Sequence, residues 1–204
     1  MGRDLGVLVA GGRGARLGAG VPKALVRVAG STLLERGLAT LSGICDEVVV
    51  AAPVSLGLPV PEERLAPDPP GVVGPIAGLV GGLRSRPFTR AIVLGVDFPL
   101  VLPAALAALR QRLGDGPAVV PVLAGRIQPL VAAYTPSAVP PLRAALERGE
   151  RALLPAVEAL GPQRLAGADL AALPGGEAGF LNVNTTADLE EAQRRLAARA
   201  GGAA

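Results

Sequence analysis

The chain has 204 residues, 50% of them hydrophobic, which is enough to bury one full core and too few for a second independent domain. Its net charge of +3 is small, its 20 basic residues are scattered, and only 2% of its residues are aromatic. Without a basic block or stacking side chains, it is not expected to bind nucleic acid. We predict a single domain over residues 1–204, with a C-terminal tail that frays from about residue 197.

The rare residue types exclude several kinds of chemistry. The chain has no histidine, which removes histidine triads, histidine-ligated zinc and histidine acid–base catalysis. Its one cysteine, Cys45, cannot form an internal disulfide, so we expect a buried structural thiol and a reducing, cytoplasmic setting. Neither a signal peptide nor a membrane span is expected, because the N-terminal apolar run is short and the longest apolar stretch is interrupted by Asp97 and prolines.

The first predicted element is a short apolar strand that ends in a loop of glycine and arginine. Glycine allows backbone N–H groups to approach an anion, and Arg16 and Lys23 bring positive charge to the same place. The pattern predicts a phosphate-binding loop that includes Gly11, Gly12 and Gly14.

The loop matches neither of two familiar phosphate-binding motifs. A Walker A loop requires Gly-Lys-Ser/Thr, whereas Lys23 follows a proline and precedes an alanine. A dinucleotide fingerprint begun at Gly12 requires glycine where Leu17 stands. A glycine-rich turn with surface arginines is the alternative. Lys23 argues against it, because it is the only lysine in the chain and a compact ammonium suits a single phosphate oxygen.

The next segments predict a β–α–β unit. A helix capped by Ser31 is predicted to run to about Leu41, with Glu35 near its start, and a buried strand is predicted over Glu47–Ala51. Strand, helix and strand in this order predict a parallel sheet. Residues 53–70 are rich in proline and charge, and we expect a long irregular connection, which is often functional.

A helix rich in small residues is predicted to begin at Pro75. Its glycines would allow close packing on the sheet, and its N-terminus would add a positive dipole to the phosphate site. A helix that is small-faced only for packing is an equal alternative.

Residues 91–96 are predicted to form the central strand, which ends at Asp97. Open α/β sheets place their ligands at this position, so Asp97 is predicted to hold Mg²⁺ while nucleotide phosphates supply further oxygens. A helix cap is the alternative role, and it is weaker because Pro99 and Pro103 delay the next helix, predicted from Pro103 to about Leu113.

The following segments predict a hairpin and two helices. Strands over residues 117–123 and 128–134 are joined by Ala124-Gly125-Arg126. Helices are predicted over residues 136–148 and 152–160, and the rest, up to residue 179, is expected to be loop with one short strand.

The last informative stretch contains the only two asparagines of the chain, Asn182 and Asn184. They are predicted at the end of a short strand, where residues two apart point the same way. Thr185 or Thr186 is predicted to cap a final helix with Asp188 in its first turn. An Asx turn is the alternative, and it explains one asparagine more easily than both.

Together these segments resemble the molybdenum cofactor guanylyltransferases, also called molybdopterin-guanine dinucleotide biosynthesis protein A. The resemblance covers most of the chain and rests on Ala10-Gly11-Gly12 with Arg16-Leu17-Gly18 and Lys23, Gly74-Pro75-Ile76-Ala77-Gly78, Val96-Asp97-Phe98-Pro99, Gln128-Pro129-Leu130, Gly149-Glu150-Arg151, and Asn182-Val183-Asn184-Thr185 with Asp188-Leu189. It implies an α/β, Rossmann-like three-layer nucleotidyltransferase fold with a mostly parallel central sheet. It also implies a Mg²⁺-dependent enzyme that transfers GMP from GTP to the terminal phosphate of molybdopterin and releases pyrophosphate.

The resemblance also implies roles for individual residues. Arg16, Lys23 and Asp97 would be catalytic, with Asp97 as the magnesium ligand. Asn182 and Asn184 would face the pterin or complete the metal site. The nucleotide-binding set would be Ala10, Gly11, Gly12, Gly14, Lys23, Asp68 and Gly74. Transient contact with other molybdenum cofactor enzymes is a further implication.

The chain departs from the family pattern at two places. The loop before Lys23 is longer than usual and carries proline where the family has aspartate, a spacing similar to that of sugar-nucleotide and isoprenoid-pathway nucleotidyltransferases. The asparagine of the guanine pocket is replaced in the Ala52-Pro53-Val54 region. The alternative functions are a cytidylyltransferase acting on molybdopterin or another phosphorylated acceptor such as an isoprenoid or sugar phosphate, and a nucleotide-binding protein without catalysis.

Overall fold

The computed structural model describes residues 2–12, 20–69, 72 and 74–201. The strands are β1 (Asp4–Val9), β2 (Arg27–Val28), β3 (Ser31–Thr32), β4 (Glu47–Ala51), β5 (Leu65–Ala66), β6 (Arg90–Gly95), β7 (Ala118–Leu123), β8 (Arg126–Ile127), β9 (Val131–Tyr134) and β10 (Gln163–Leu165). The α-helices are α1 (Leu33–Ser42), α2 (Pro75–Arg84), α3 (Pro103–Arg112), α4 (Val139–Glu147), α5 (Leu153–Glu158), α6 (Ala168–Ala171) and α7 (Thr186–Gly201). No helix in these ranges is both long and apolar enough to cross a membrane.

One sheet forms the centre of the molecule, with the strand order β10–β7–β9–β6–β1–β4–β5 and with β8 paired to β7. β5, β4, β1 and β6 are parallel neighbours, and β10 is parallel to β7. β9 is antiparallel to both β6 and β7. The mostly parallel sheet and the central position of β6 are therefore confirmed.

Alternate residues of each strand pack on opposite faces of this sheet. In β1, Leu8 contributes to one hydrophobic core, and Val7 and Val9 contribute to the other. Helices α1, α3 and α7 cover the first face, and α2, α4 and α5 cover the second. Because both faces are buried, the central strands are continuous apolar runs. The result is the predicted three-layer α/β arrangement.

The chain changes direction across the sheet beside β1. After β1 it adds β4 and β5 on one side and then returns to β6 on the other side. Such a switch point opens a crevice at the carboxyl ends of the two strands. Val9 of β1 is paired with Gly95 of β6, so the glycine loop and Asp97 leave the sheet at the same edge.

The glycines of α2 allow this helix to lie close to β1, as predicted. A Cβ added at Gly78 would lie 3.3 Å from Cγ1 of Val9, and one added at Gly82 would collide with Val7. Larger residues at these positions would push α2 away from the sheet.

The cap of α1 is Thr32, and the prediction of Ser31 was wrong. The Thr32 hydroxyl accepts a hydrogen bond from the Glu35 N–H at 3.1 Å, and the Glu35 carboxylate accepts one from the Thr32 N–H at 2.7 Å. This reciprocal capping box requires a spacing of three residues, which separates Thr32 from Glu35 and does not separate Ser31 from Glu35.

The predicted hairpin has a different second strand. The chain returns along β7 as the short strand β8, with Leu123 paired to Arg126, and β9 begins only at Val131. The Gln128 N–H still bonds the Pro121 carbonyl oxygen of β7, and the chain then makes a turn closed by a bond from the Val131 N–H to the Gln128 carbonyl oxygen. Pro129 in this turn has no N–H to donate to a strand.

Three other segments differ from prediction. The asparagines lie in extended chain rather than in a strand, because the Val183 N–H bonds the Asp97 carbonyl oxygen and no neighbouring strand. The connection over residues 53–70 contains β5, which pairs with β4. The segment before residue 179 contains α6 as well as β10. Helix α7 extends to Gly201, and residues 202–204 lie outside the described chain, so fraying of the tail from about residue 197 stays a prediction.

Cys45 lies between α1 and β4, as predicted. Its side chain is partly buried. Burial raises the pKa of the thiol to about 12, so the thiol is protonated and unreactive at neutral pH, consistent with a structural residue.

Candidate active site

The glycine loop begins directly after β1. Ala10 is buried, and its N–H donates a hydrogen bond of 2.8 Å to the Ala51 carbonyl oxygen. Gly11 and Gly12 are exposed, and the Gly12 carbonyl oxygen accepts a bond of 3.2 Å from the Lys23 N–H. This bond holds Lys23 beside the start of the loop. Residues 13–19 lie outside the described chain, and with them the predicted Gly14 and Arg16.

Lys23 contacts two residues that are far from it in the sequence. Its ammonium Nζ lies 2.9 Å from Oδ1 of Asn184 and 3.7 Å from Oδ2 of Asp97. The Asn184 side-chain N–H in turn donates a bond of 2.8 Å to Oδ1 of Asn182. Four predicted site residues, distant in sequence, therefore form one polar cluster at the carboxyl edge of the sheet.

The charges in this cluster are only partly compensated. Lys23 is 8% exposed, and burial lowers the pKa of its ammonium although the Asp97 carboxylate opposes the shift. Burial likewise raises the pKa of Asp97, against the Lys23 charge and the Asn182 side chain. Each ion is thus less well stabilised than in water, as is common at sites that bind charged ligands.

The asparagine segment is held at both ends. The Val183 N–H donates a bond of 2.8 Å to the Asp97 carbonyl oxygen. On the other side, Oδ2 of Asp188 accepts bonds from the N–H groups of Asn184 and Thr185, at 2.9 and 2.8 Å. The Asp188 N–H bonds the Thr185 hydroxyl at 3.2 Å, so Thr185 caps α7. The cap of the helix therefore also positions Asn184.

Gly95 provides the space for the Asp97 carboxylate. A Cβ at residue 95 would collide with Oδ1 of Asp97 and would lie 3.3 Å from Cβ of Leu130. Sequence reasoning treated Gly95 only as part of a strand. A glycine inside an apolar strand often marks the close approach of another group, so the sequence did carry a signal for this role of Gly95.

Asp68 lies beside the start of α2. Its Oδ1 atom is buried and has no hydrogen-bond partner within the described chain. Burial raises the pKa of this carboxyl group. An unpartnered buried oxygen carries an energetic cost that a ligand hydroxyl can remove, so this position fits a nucleotide-binding residue.

Gly74 opens α2 with a left-handed backbone. Its φ is 128°, and a Cβ there would lie 3.4 Å from the carbonyl oxygen of Arg151. The Gly74 carbonyl oxygen accepts a bond of 3.0 Å from the Ala77 N–H, which starts the helix. Glycine is needed here for the turn into α2.

A cavity of about 550 Å³, which we call the loop cavity, brings most of the predicted nucleotide-binding residues together. Its lining includes Gly11, Gly12, Lys23, Asp68, Gly74 and Asp97. The start of α2 also lines it through Pro75, so the helix N-terminus lies beside the cavity, and its dipole contribution to a phosphate site stays a prediction. Ser55 and Leu56 line it as well, and neither was predicted from the sequence.

A second cavity, of about 560 Å³, lies next to the first, and we call it the hairpin cavity. Its polar lining residues are Asp97, Asn182, Arg126 and Gln128, and most of the remaining lining is apolar. Pro75, Asp97 and Leu130 line both cavities. Two ligands bound side by side would therefore meet at Asp97.

The oxygen-bearing side chains of the cluster around Lys23 fit Mg²⁺. Asp97 supplies a carboxylate, and Asn182 and Asn184 supply amide oxygens. The described residues contain no group of three or more acidic, cysteine or histidine side chains that could enclose a metal. Mg²⁺ needs no such cage, since it commonly binds one or two carboxylates together with substrate phosphates.

Comparisons with known proteins all point to one family for this chain. The profile of the MobA-like NTP transferase domain matches residues 6–161. A probable molybdenum cofactor guanylyltransferase from Chloroflexus aggregans is 36% identical over 203 residues, covering 94% of each chain. A relative of the same name from Bacillus cereus is 32% identical over 203 residues, covering 96% of this chain and 98% of the relative.

Solved structures agree with this result. The crystal structure of molybdopterin-guanine dinucleotide biosynthesis protein A from Archaeoglobus fulgidus has a TM-score of 0.79 at 26% identity, covering 95% of this chain and 98% of that one. The 2-C-methyl-D-erythritol 4-phosphate cytidylyltransferase from Thermus thermophilus, with a TM-score of 0.69 at 23% identity, shares the fold and covers 94% of this chain and 98% of its own. The chain therefore belongs to the MobA-like NTP transferases, the family that its ordered motifs resemble.

Proposed function

We propose that the protein transfers GMP from GTP to the terminal phosphate of molybdopterin and releases pyrophosphate. The single structural observation that supports this is the pair of cavities that share Asp97, one beside the glycine loop and one beside the hairpin. The names of the relatives supply the identity of the two substrates. GTP would occupy the loop cavity, and the acceptor would occupy the hairpin cavity.

The reaction is an in-line displacement. An oxygen of the acceptor phosphate forms a bond to the α-phosphorus of GTP, and the bond from that phosphorus to the oxygen of the β-phosphate breaks. A phosphate monoester is already ionised near neutral pH, so the chain needs no general base. Its residues position the reactants and neutralise charge. Lys23, at the border of the loop cavity, stabilises the leaving pyrophosphate.

We also propose that the enzyme depends on Mg²⁺, held by Asp97 with Asn182 or Asn184. The metal supplies charge neutralisation at the phosphates when it is bound. The Lys23 ammonium contacts Asp97 and Asn184 in the described chain, and it would turn from these oxygens toward the nucleotide phosphates if metal and nucleotide were both bound. Arg16 and Gly14 stay predictions from the loop sequence, with Arg16 assigned to the pyrophosphate. The cytoplasmic location and contact with other molybdenum cofactor enzymes also stay predictions.

The test is pyrophosphate release from GTP, CTP, UTP and ATP, each with and without molybdopterin and Mg²⁺. The proposal requires release only with GTP, acceptor and metal together. A preference for CTP would instead support a cytidylyltransferase, and nucleotide binding without turnover would support a non-catalytic protein. Lys23→Ala and Asp97→Ala should each lower kcat/KM by about 100-fold or more, the scale of a lost transition-state contact. Near-normal turnover of either variant would contradict its assigned role.

A further inference from the structure

Arg126 and Gln128 line the hairpin cavity, and the reaction described above gives them no role. The other two polar side chains of its lining, Asp97 and Asn182, belong to the cluster around Lys23. The cavity therefore has two polar sets, one at the reacting phosphates and one on the β7–β8 hairpin.

The hairpin fixes the backbone from which its polar side chains extend. Ala124 and Gly125 have φ values of 47° and 77°, the left-handed pair of a tight two-residue hairpin turn. Arg126 follows this turn directly and pairs with Leu123. Such a turn matches the twist of its strands and gives a rigid ribbon.

Arg126 and Gln128 line the hairpin cavity together. They are two residues apart, and the Gln128 side-chain N–H donates a bond of 3.1 Å to the Arg126 carbonyl oxygen. Ile127 between them is 2% exposed and lines the same cavity. The Arg126 guanidinium makes no ion pair and no hydrogen bond to any residue in the described ranges. Its donors are therefore available to a ligand, as is the Gln128 side-chain oxygen.

The hairpin stands beyond the reacting end of the cavity. The Leu130 carbonyl oxygen bonds the Gly95 N–H at 2.6 Å, which places Leu130 level with the end of β6. Arg126 precedes Leu130 by four residues of chain, a span of at most about 13 Å. Asp97 and Arg126 line the same cavity, so an acceptor whose phosphate lies at Asp97 and that fills this cavity contacts Arg126.

Building on the proposed function, we propose that Arg126 and Gln128 bind the heterocyclic end of the acceptor. The guanidinium donates to a ring carbonyl oxygen or ring nitrogen, and the Gln128 oxygen accepts from a neighbouring N–H. The pterin edge offers a carbonyl beside a ring N–H, which complements this pair. The ligand class is a phosphate monoester whose far end is a planar heterocycle with such an edge, and the two residues select it among phosphate monoesters.

The first test measures the affinity for molybdopterin from the fluorescence of the pterin. The chain has no tryptophan and one tyrosine, so the protein background is low. Arg126→Ala should weaken molybdopterin binding by about tenfold to 100-fold, the loss of a charged hydrogen bond, and leave the KM for GTP unchanged. Arg143→Ala, on the exposed face of α4, is the matched control and should change neither.

Two further arms separate heterocycle recognition from simple attraction of a phosphate. Arg126→Lys keeps the charge but loses the planar donor fork, so it should not restore binding. Glycerol 3-phosphate, which lacks a heterocycle, should compete equally weakly in the wild type and in Arg126→Ala. Restoration by lysine, or a selective loss of glycerol 3-phosphate binding, would overturn the inference.

The outcomes also separate this inference from the proposed function. Pterin binding without turnover of GTP would contradict the proposed function. The role of Arg126 would then be decided by comparing the molybdopterin affinities of the wild type and Arg126→Ala. Normal turnover with unchanged affinity in Arg126→Ala would overturn the inference alone. No pterin binding by the wild type would overturn both.

Discussion

At the scale of single residues, the site depends on the absence of a Cβ atom at residue 95. Gly95 leaves the space into which the Asp97 carboxylate folds, and any Cβ there would overlap Oδ1. Glycine is needed here for close packing and not for its backbone conformation, since the φ of Gly95 is not positive.

Gly95→Ala should therefore displace the Asp97 carboxylate and lower kcat by about 100-fold, the scale of a misplacement of about 1 Å. Circular dichroism should show that the variant is folded. Gly116→Ala is the matched control, because a Cβ at Gly116 would meet nothing within 4 Å. Equal activities of the two variants would show that the position of Asp97 does not depend on Gly95.

Lys23 is the only lysine of the chain, so modification of lysine side chains reports on this residue alone. Burial lowers the pKa of its ammonium, so a larger fraction than usual is free amine at mildly alkaline pH. An acetylating reagent at pH 8 should thus modify only Lys23 and the α-amino group, as read by mass spectrometry, and acetylation of Lys23 should abolish turnover. Mg²⁺ with GTP should slow acetylation of Lys23 at least about tenfold at saturation. Unchanged acetylation of Lys23 in the presence of nucleotide would remove it from the phosphate site.

At the scale of elements, the N-terminus of α7 links helix capping to the active site. Asp188 accepts bonds from the N–H groups of Asn184 and Thr185, and these bonds together with the Thr185 hydroxyl lower the pKa of its carboxyl group. A carboxylate with a lowered pKa stabilises the fold above its ordinary pKa of 3.8, and this contribution is lost as pH falls through the lower value of the folded state.

Asp188→Asn should therefore lower the thermal midpoint at pH 7, and the difference should disappear as the pH falls below that ordinary value. Because the group is only partly buried and is screened by solvent, the loss in free energy of unfolding should stay below about 1 kcal/mol. Turnover should fall more than stability, since Asn184 loses an anchor. Asp115→Asn, an exposed aspartate far from α7 in sequence, is the control. A difference that persists in acid would mean that the charge of Asp188 is not its cause.

At the scale of the whole molecule, the two cavities predict separate binding of the two substrates. A ligand that binds only the folded state raises its stability, by about 2.7 kcal/mol at 100 times its dissociation constant. GTP with Mg²⁺ should raise the thermal midpoint without molybdopterin, and more than CTP, UTP or ATP do. A larger shift with CTP would show that the protein prefers cytosine to guanine. Ser55 of the loop cavity would then be the first residue to examine.

Much of the architecture follows from local patterns. The apolar runs of β1, β4 and β6 and the helix that starts at Pro75 were predicted because hydrophobic periodicity and proline act over a few residues. The predictions failed where a neighbour decides the structure. The asparagine segment is not a strand because its backbone bonds Asp97, and the cap of α1 moved by one residue to Thr32 because Glu35 bonds back to it.

The sequence by itself determined the fold class, the family resemblance and the position of Asp97 after the central strand, because each rests on short-range chemistry or on the order of motifs. Only the tertiary structure decided that Lys23 bonds Asn184, 161 residues away, and that two cavities share Asp97. Contacts of this kind depend on strand order and register, which pair segments far apart in the chain. No local pattern contains that information.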